Sequence, residues 1–252
     1  MKIVLDTHTH TIACNHAYST IEDNAKAAKD KGLELICITE HGPSMPGGPH
    51  KYFFANIKVV PPILHGVKVL KGIEANILDF NGKIDLPSKY ENRMEIVLAG
   101  LHNMVLSPGS KMENTKAVIK TMENPLVDII VHPGNPAYEL EYTDIVQAAK
   151  DTNTFLELNN SSFVHSRKGS YPNCHYLAQL CMDQGVVVSL GSDAHFAADV
   201  GAFSKVDLMI EELNFPEKLI VNTSTEKLLD HLRNKGRELL KDPRDKLNYK
   251  EH

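Results

Sequence analysis

Long hydrophobic runs are missing from this 252-residue chain: its most apolar stretches, such as IVLAGL at 96–101, stop far short of the roughly 20 residues that cross a bilayer. No membrane-spanning helix is expected. No run of lysine or arginine is long enough to track phosphates, and the formal net charge is −5, so bulk nucleic-acid binding is not expected either. Cysteine is scarce; Cys14, Cys37, Cys174 and Cys181 form no CxxC pair. That excludes a disulfide framework and reads as reduced thiols in a cytoplasmic protein. Met1 leads almost at once into a strand-like run containing Asp6, and no secretory signal is expected. No internal repeat, low-complexity tract or composition shift marks a second domain, while 42% apolar residues fill one large core. One domain is expected over 1–240, followed by a charged C-terminal tail at 241–252.

Histidine is abundant. Thirteen are present, about twice ordinary usage. The stretch LDTHTHT at 5–11 places two of them two residues apart at the end of an apolar run; on a strand, His8 and His10 share one face. Short β-branched or leucine-rich runs recur at 2–8, 35–41, 67–77, 95–102, 128–134, 155–162 and 186–195. Amphipathic stretches alternate with them near 20–31, 113–122, 143–151 and 174–184, with two more near 205–213 and 224–240. Thr20, Asn114 and Asn173 are expected to cap three of these. This is the pattern of βα units around a parallel sheet, close to a full barrel.

Six of the seven strands deliver a metal-binding type of side chain at or just past the carboxyl end. These are His8 and His10, His41, Glu74, His102, His132, and Asp193 with His195; His16 follows in the loop after His10. In parallel α/β folds such ends converge on one mouth. Small residues upstream on the same faces, Gly100 and Gly191, are expected to leave room for ions. The sixth strand offers no obvious ligand at its end. Cys14 lies near the histidines and is read as an idle buried thiol rather than a soft ligand. Glu40 should face away from the bowl and act, if at all, as a hydrogen-bond partner to a ligand. His50, His65, His165, His175 and His231 fall outside the pattern.

The succession HTH, a further histidine, EH, a lone glutamate, H, HPG and SDAH resembles the PHP (polymerase and histidinol phosphatase) family, and GLH, HPGNP, ELNNSS and SRKGS resemble its YcdX-like branch of small phosphatases. The resemblance runs from residue 2 to about 235. It implies a distorted seven-stranded (β/α)7 TIM-like barrel and a trinuclear centre. One ion would sit on His8, His10, Glu74 and Asp193, a second on Glu74, His102 and His132, and a third on His16, His41 and His195. That donor set suits zinc, with manganese or iron as alternatives.

Three divalent ions carry six positive charges against two from Glu74 and Asp193, so the bare site stands near +4, or about +3 with a bridging hydroxide. An anionic substrate is favoured. The resulting expectation is hydrolysis of small phosphate monoesters by a metal-bound hydroxide, with Asp193 or a second bound water as proton donor. Arg167, in the loop NNSSFVHSRKGSYPN, is expected to clamp the phosphate. The segment 42–62, rich in glycine and proline, reads as an irregular lid, with Tyr52, Phe53 and Phe54 as cover, packed plug or oligomer contact. The alternatives are a histidinol-phosphate phosphatase, an amidohydrolase-type metal hydrolase, a PHP module serving a separate polymerase chain, and a noncatalytic metal-binding module. A homo-oligomer is compatible with all of these.

Overall fold

The computed structural model describes residues 1–242. Its centre is a sheet of seven parallel strands: β1 (Leu5–Thr9), β2 (Leu35–His41), β3 (Val67–Asn76), β4 (Ile96–Gly100), β5 (Ile129–Ile130), β6 (Phe155–Asn159) and β7 (Val188–Gly191), hydrogen-bonded in chain order. β7 returns to β1 through a parallel bridge from Thr9 to Ala194 and through the Asp193 N–H, which donates to the His8 carbonyl at 2.9 Å. The sheet is thereby nearly closed into a (β/α)7 barrel of one domain. Residues 243–252 of the expected tail lie outside the described residues.

Alternation along the strands builds two apolar layers. Leu35 and Cys37, Ile96 and Leu98, and Ile129 and Val131 fill the barrel interior. Their neighbours Ile36 and Ile38, Val97 and Ala99, and Leu156 and Leu158 pack outward against the helices. The longer helices are α1 (Ile21–Asp30), α2 (Lys111–Met122), α3 (Tyr142–Thr152), α4 (Ser170–Gln184), α5 (Ser204–Glu212) and α6 (Thr225–Asn234). Leu228, Leu229 and Leu232 of α6 close the barrel floor. Beyond α6 the chain is tied to that floor by fully buried Asp128, which pairs with Lys235 at 3.1 Å and Arg237 at 3.3 Å.

Local chemistry corrects several expected boundaries. Thr20 caps α1 in a reciprocal capping box with Asp23, as expected. The cap of α2, however, is Ser110 and not Asn114, because Ser110 and Glu113 satisfy two end N–H groups together; the Asn114 amide bonds Gly109 instead. α4 starts after Gly169, at φ 95, and Asn173 lies inside it with its amide on the Gly134 carbonyl. α6 ends at Asn234 rather than near 240. The 42–62 segment is not wholly irregular: Tyr52–Asn56 forms a short helix, with a 3-10 turn at Ile57–Val59. Its glycines and prolines cluster outside that helix, and Phe54 is fully buried in the outer core. Phe54 is therefore a packed plug, while Tyr52 stays exposed.

Candidate metal centre

Backbone geometry at the carboxyl ends decides where the polar side chains go. On β2, β3 and β4 the interior phase set by Leu35, Leu70 and Ile96 carries straight on to His41, Glu74 and His102. β1 needs a correction of phase. Leu5 and His8 both face inward because the β1/β2 register shifts between Asp6 and Thr9, where three steps on β1 face two on β2. His132 follows inward-facing Val131 and would point outward in a regular strand; a backbone at φ 36 turns it in. Asp193 adopts φ 54 at the corresponding end of β7. Left-handed backbone at two non-glycine residues costs on the order of 1–3 kcal/mol each, which the surrounding bonds must offset.

All nine expected side chains meet at one mouth. Glu74 is the hub: Oε1 lies 3.0 Å from His102 Nε2 and 2.8 Å from His132 Nε2, and Oε2 lies 2.6 Å from His41 Nδ1 and 3.5 Å from Nε2 of both His8 and His10. His8 Nε2 and His10 Nε2 are 3.0 Å apart, and Asp193 Oδ1 is 3.3 Å from the latter. The His16 ring stacks on His41 at 5.0 Å and tilts against His195 at 4.9 Å. Arg167 reaches the same place, its Nη1 donating to Asp193 Oδ2 at 3.0 Å. His165 lines the mouth cavity, of about 450 Å³, as do His16, Arg167 and His195. His50 is exposed, His65 pairs with Glu22, His175 lies on α4, and His231 lies on α6.

Three residues near the mouth take roles that strand ends alone did not reveal. Glu157 sits in the middle of β6 and points inward; its Oε1 is 2.7 Å from His8 Nδ1 and its Oε2 accepts from the His132 N–H at 2.7 Å. The alternation Phe155, Glu157, Asn159 was the available signal. Glu40 accepts bonds from the Thr11 N–H and hydroxyl and lies 3.8 Å from His10 Nδ1, with no hydrogen bond between the two. Cys14 is fully buried beside His10 and His16. Gly191 and Gly100 make room for protein rather than ions: a Cβ on Gly191 would lie 1.9 Å from Glu157 Oε1, and one on Gly100 would lie 2.8 Å from His132 Cε1.

The donor set fits cations. His10 Nδ1, His41 Nδ1 and Glu74 Oε2 are buried polar atoms without a hydrogen bond. His41 Nδ1 and Glu74 Oε2, although 2.6 Å apart, make none with each other, as expected of lone pairs converging on a third partner. Triplets of donor atoms within 4.8 Å of one another occur at His8, His10 and Asp193, at His41, Glu74 and His102, at His10, His41 and His195, and at Cys14, His16 and His195.

Electrostatics in the ion-free chain follow the same map. Burial opposes charge on His8, but Glu157, Glu74 and Asp193 outweigh it and raise the imidazole to about 10. His10 is likewise held well above its usual range against its burial, chiefly by Asp193. Glu74 and Asp193, despite complete burial, stay far below the normal carboxylate range, Glu74 through His41, His102 and His8, and Asp193 through His8 and Arg167. Burial drives His41 and His132 down to about 3 and His195 to about 4, so these three are neutral donors. Burial raises the Cys14 thiol, but the His10 and His16 side chains beside it overcome that and bring the group to about 7.

Among the described residues no helix is long and apolar enough to cross a membrane, and all four cysteines are free and buried. Residues 6–162 match the model of the PHP domain family. The chain is 50% identical to a probable phosphatase of Caldanaerobacter subterraneus subsp. tengcongensis, over 95% of this chain and 94% of the relative. It is 48% identical to a probable phosphatase of Acetivibrio thermocellus, over 93% and 97% of the two chains. Its fold is similar to that of the histidinol phosphate phosphatase of Lactococcus lactis subsp. lactis, a structure holding zinc, L-histidinol and phosphate, with TM-score 0.55 and 16% identity over 84% of this chain and 94% of that one. On its barrel, its mouth of imidazoles and acids, and its matched sequence, the chain belongs to the PHP family.

Proposed function

We propose that this protein hydrolyses small phosphate monoesters at a trinuclear centre of divalent ions, zinc first among them. A metal-dependent phosphatase is the enzyme class on which the family, the relatives and the donor set agree. The observation that carries the proposal is the convergence of seven imidazoles and two carboxylates, some with orphaned lone pairs, on a cavity edged by Arg167. His8, His10, Asp193 and Glu74 would hold one ion, and Glu74 with His102 and His132 a second. His16 and His195 would hold the third, with His41 between the latter two. Bound there, the ions would stabilise charge on phosphoryl oxygens and acidify a water enough to attack near neutral pH.

The protein's own residues then bind and orient. Arg167 is placed to grip phosphate oxygens, its guanidinium steadied by Asp193, Ser162 and Ser166. Asp193 enters as ligand and as anchor for Arg167. The proton for the leaving group would come from Asp193 or from a second bound water. Glu157 and Glu40 add two buried acids behind His8 and His10, so the positive surplus is smaller than the nine residues alone imply. Exposed Tyr18 and Phe196, with Met45, line the cavity and offer apolar surface to the organic part of a substrate.

The test is a panel of phosphomonoesters, histidinol phosphate included, assayed before and after complete removal of metal, alongside elemental analysis. Three equivalents of divalent metal and a turnover that disappears on stripping are expected. Turnover that survives stripping overturns the proposal. For Arg167→Ala, loss of a charge-assisted contact worth about 1.5–3 kcal/mol raises KM by roughly 10- to 100-fold, with kcat less affected. An unchanged KM removes Arg167 from phosphate binding.

A further inference from the structure

The structure assigns Cys14 as a sulfur ligand of the outermost ion, completing a site with His16 and His195. The assignment rests on the proposed metal centre and deepens it. The expected partners of His16 were His41 and His195, yet the compact triplet that includes His16 is Cys14, His16 and His195, with donor atoms within 4.8 Å of one another. His41 instead groups with His10 and His195 and with Glu74 and His102.

Neighbouring backbone prepares the two imidazoles. His16 Nδ1 donates to the Cys14 carbonyl at 2.9 Å, and His195 Nδ1 to the Asp193 carbonyl at 2.9 Å, which leaves Nε2 of each ring free for a cation. A second observation points at the thiol from its other flank. His10 Nδ1 and Glu40 Oε2 are fully buried, lack hydrogen-bond partners, and belong to residues that form a further triplet with Cys14. A lone idle thiol needs no such surroundings. The thiol donates weakly to the Thr11 carbonyl at 3.3 Å, and its other flank faces the His10 and His16 side chains.

His16 and His195 line the mouth cavity while Cys14 lies behind them, out of reach of a substrate. Sulfur on the wall side makes the outer position softer than a histidine-only site. It should therefore prefer zinc over manganese or iron there.

Zinc-edge X-ray absorption on the fully loaded whole protein reads the sulfur directly. A Zn–S shell near 2.3 Å beside Zn–N near 2.0–2.1 Å is expected, at about one sulfur per three zinc ions. In Cys14→Ser that shell disappears, and the most weakly held zinc is lost to a chelator at least tenfold faster. Scattering by nitrogen and oxygen alone from a wild-type protein carrying three zinc ions overturns the assignment while leaving the metal centre intact. A protein that takes up no zinc overturns both. A sulfur shell that persists in Cys14→Ser assigns the sulfur elsewhere and likewise overturns the proposal.

Discussion

Replacing Glu74 with glutamine lowers kcat/KM by about 10⁴-fold or more, a loss of roughly 5 kcal/mol of transition-state stabilisation. Glu74 is the hub for five imidazoles: His8, His10, His41, His102 and His132 all bring a nitrogen within 3.5 Å of its two oxygens. Glutamine keeps the shape but removes the charge that would offset the two cations of the proposed centre, and it turns one oxygen into an amide nitrogen with no lone pair to give. At least one ion should be lost with it, so elemental analysis and activity should fall together. Because the residue is buried, circular dichroism is needed to show that the barrel survives. A folded Glu74→Gln protein with full metal content and near-normal turnover contradicts its role as a bridging ligand.

The second large effect belongs to Glu157, which touches no substrate. In Glu157→Gln, affinity for metal at the innermost position drops by about 10- to 100-fold, the range for losing a hydrogen-bond partner behind a ligating histidine. The carboxylate accepts from His8 Nδ1 and the His132 N–H, each at 2.7 Å, and so fixes two of the proposed ligands at once. Activity should return as zinc is raised toward saturation, which a purely structural lesion would not show. In the metal-free protein the His8 imidazole, lifted to about 10 partly by Glu157, should titrate lower in the variant. The sign follows from the loss of a negative neighbour, which removes stabilisation of the protonated ring. Histidine NMR titration and chelator competition together read both effects. An unshifted His8 with unchanged zinc affinity denies Glu157 this positioning role.

Much of this was legible in the linear chain. Strand positions follow from runs such as LICITEH, found at Leu35–His41 as expected, because a buried parallel strand needs a short continuous apolar run and little else. Most of the nine polar positions follow from the fact that parallel strands all end at the same face, which brings a histidine or acid closing a run to the mouth; His16 in the loop after β1 and His132, which needs φ 36 to turn in, do not follow from that alone. Helix starts were less secure, since a cap is a contest among near neighbours: Ser110 with Glu113 offers two reciprocal bonds where Asn114 offers none to the helix end.

What the sequence by itself determined was the barrel, the donor types and their shared end. Tertiary structure alone decided which donors form groups and which residues stand behind them. The places of Glu157 beside His8 and of Cys14 beside His16 come from distances across the barrel and its first loop, and the inward turn of His132 depends on a backbone angle held by its surroundings. The physical reason is that alternation fixes only the face a side chain occupies. Separations of a few ångströms between strands far apart in the chain depend on register, bulges and closure, which local sequence does not encode.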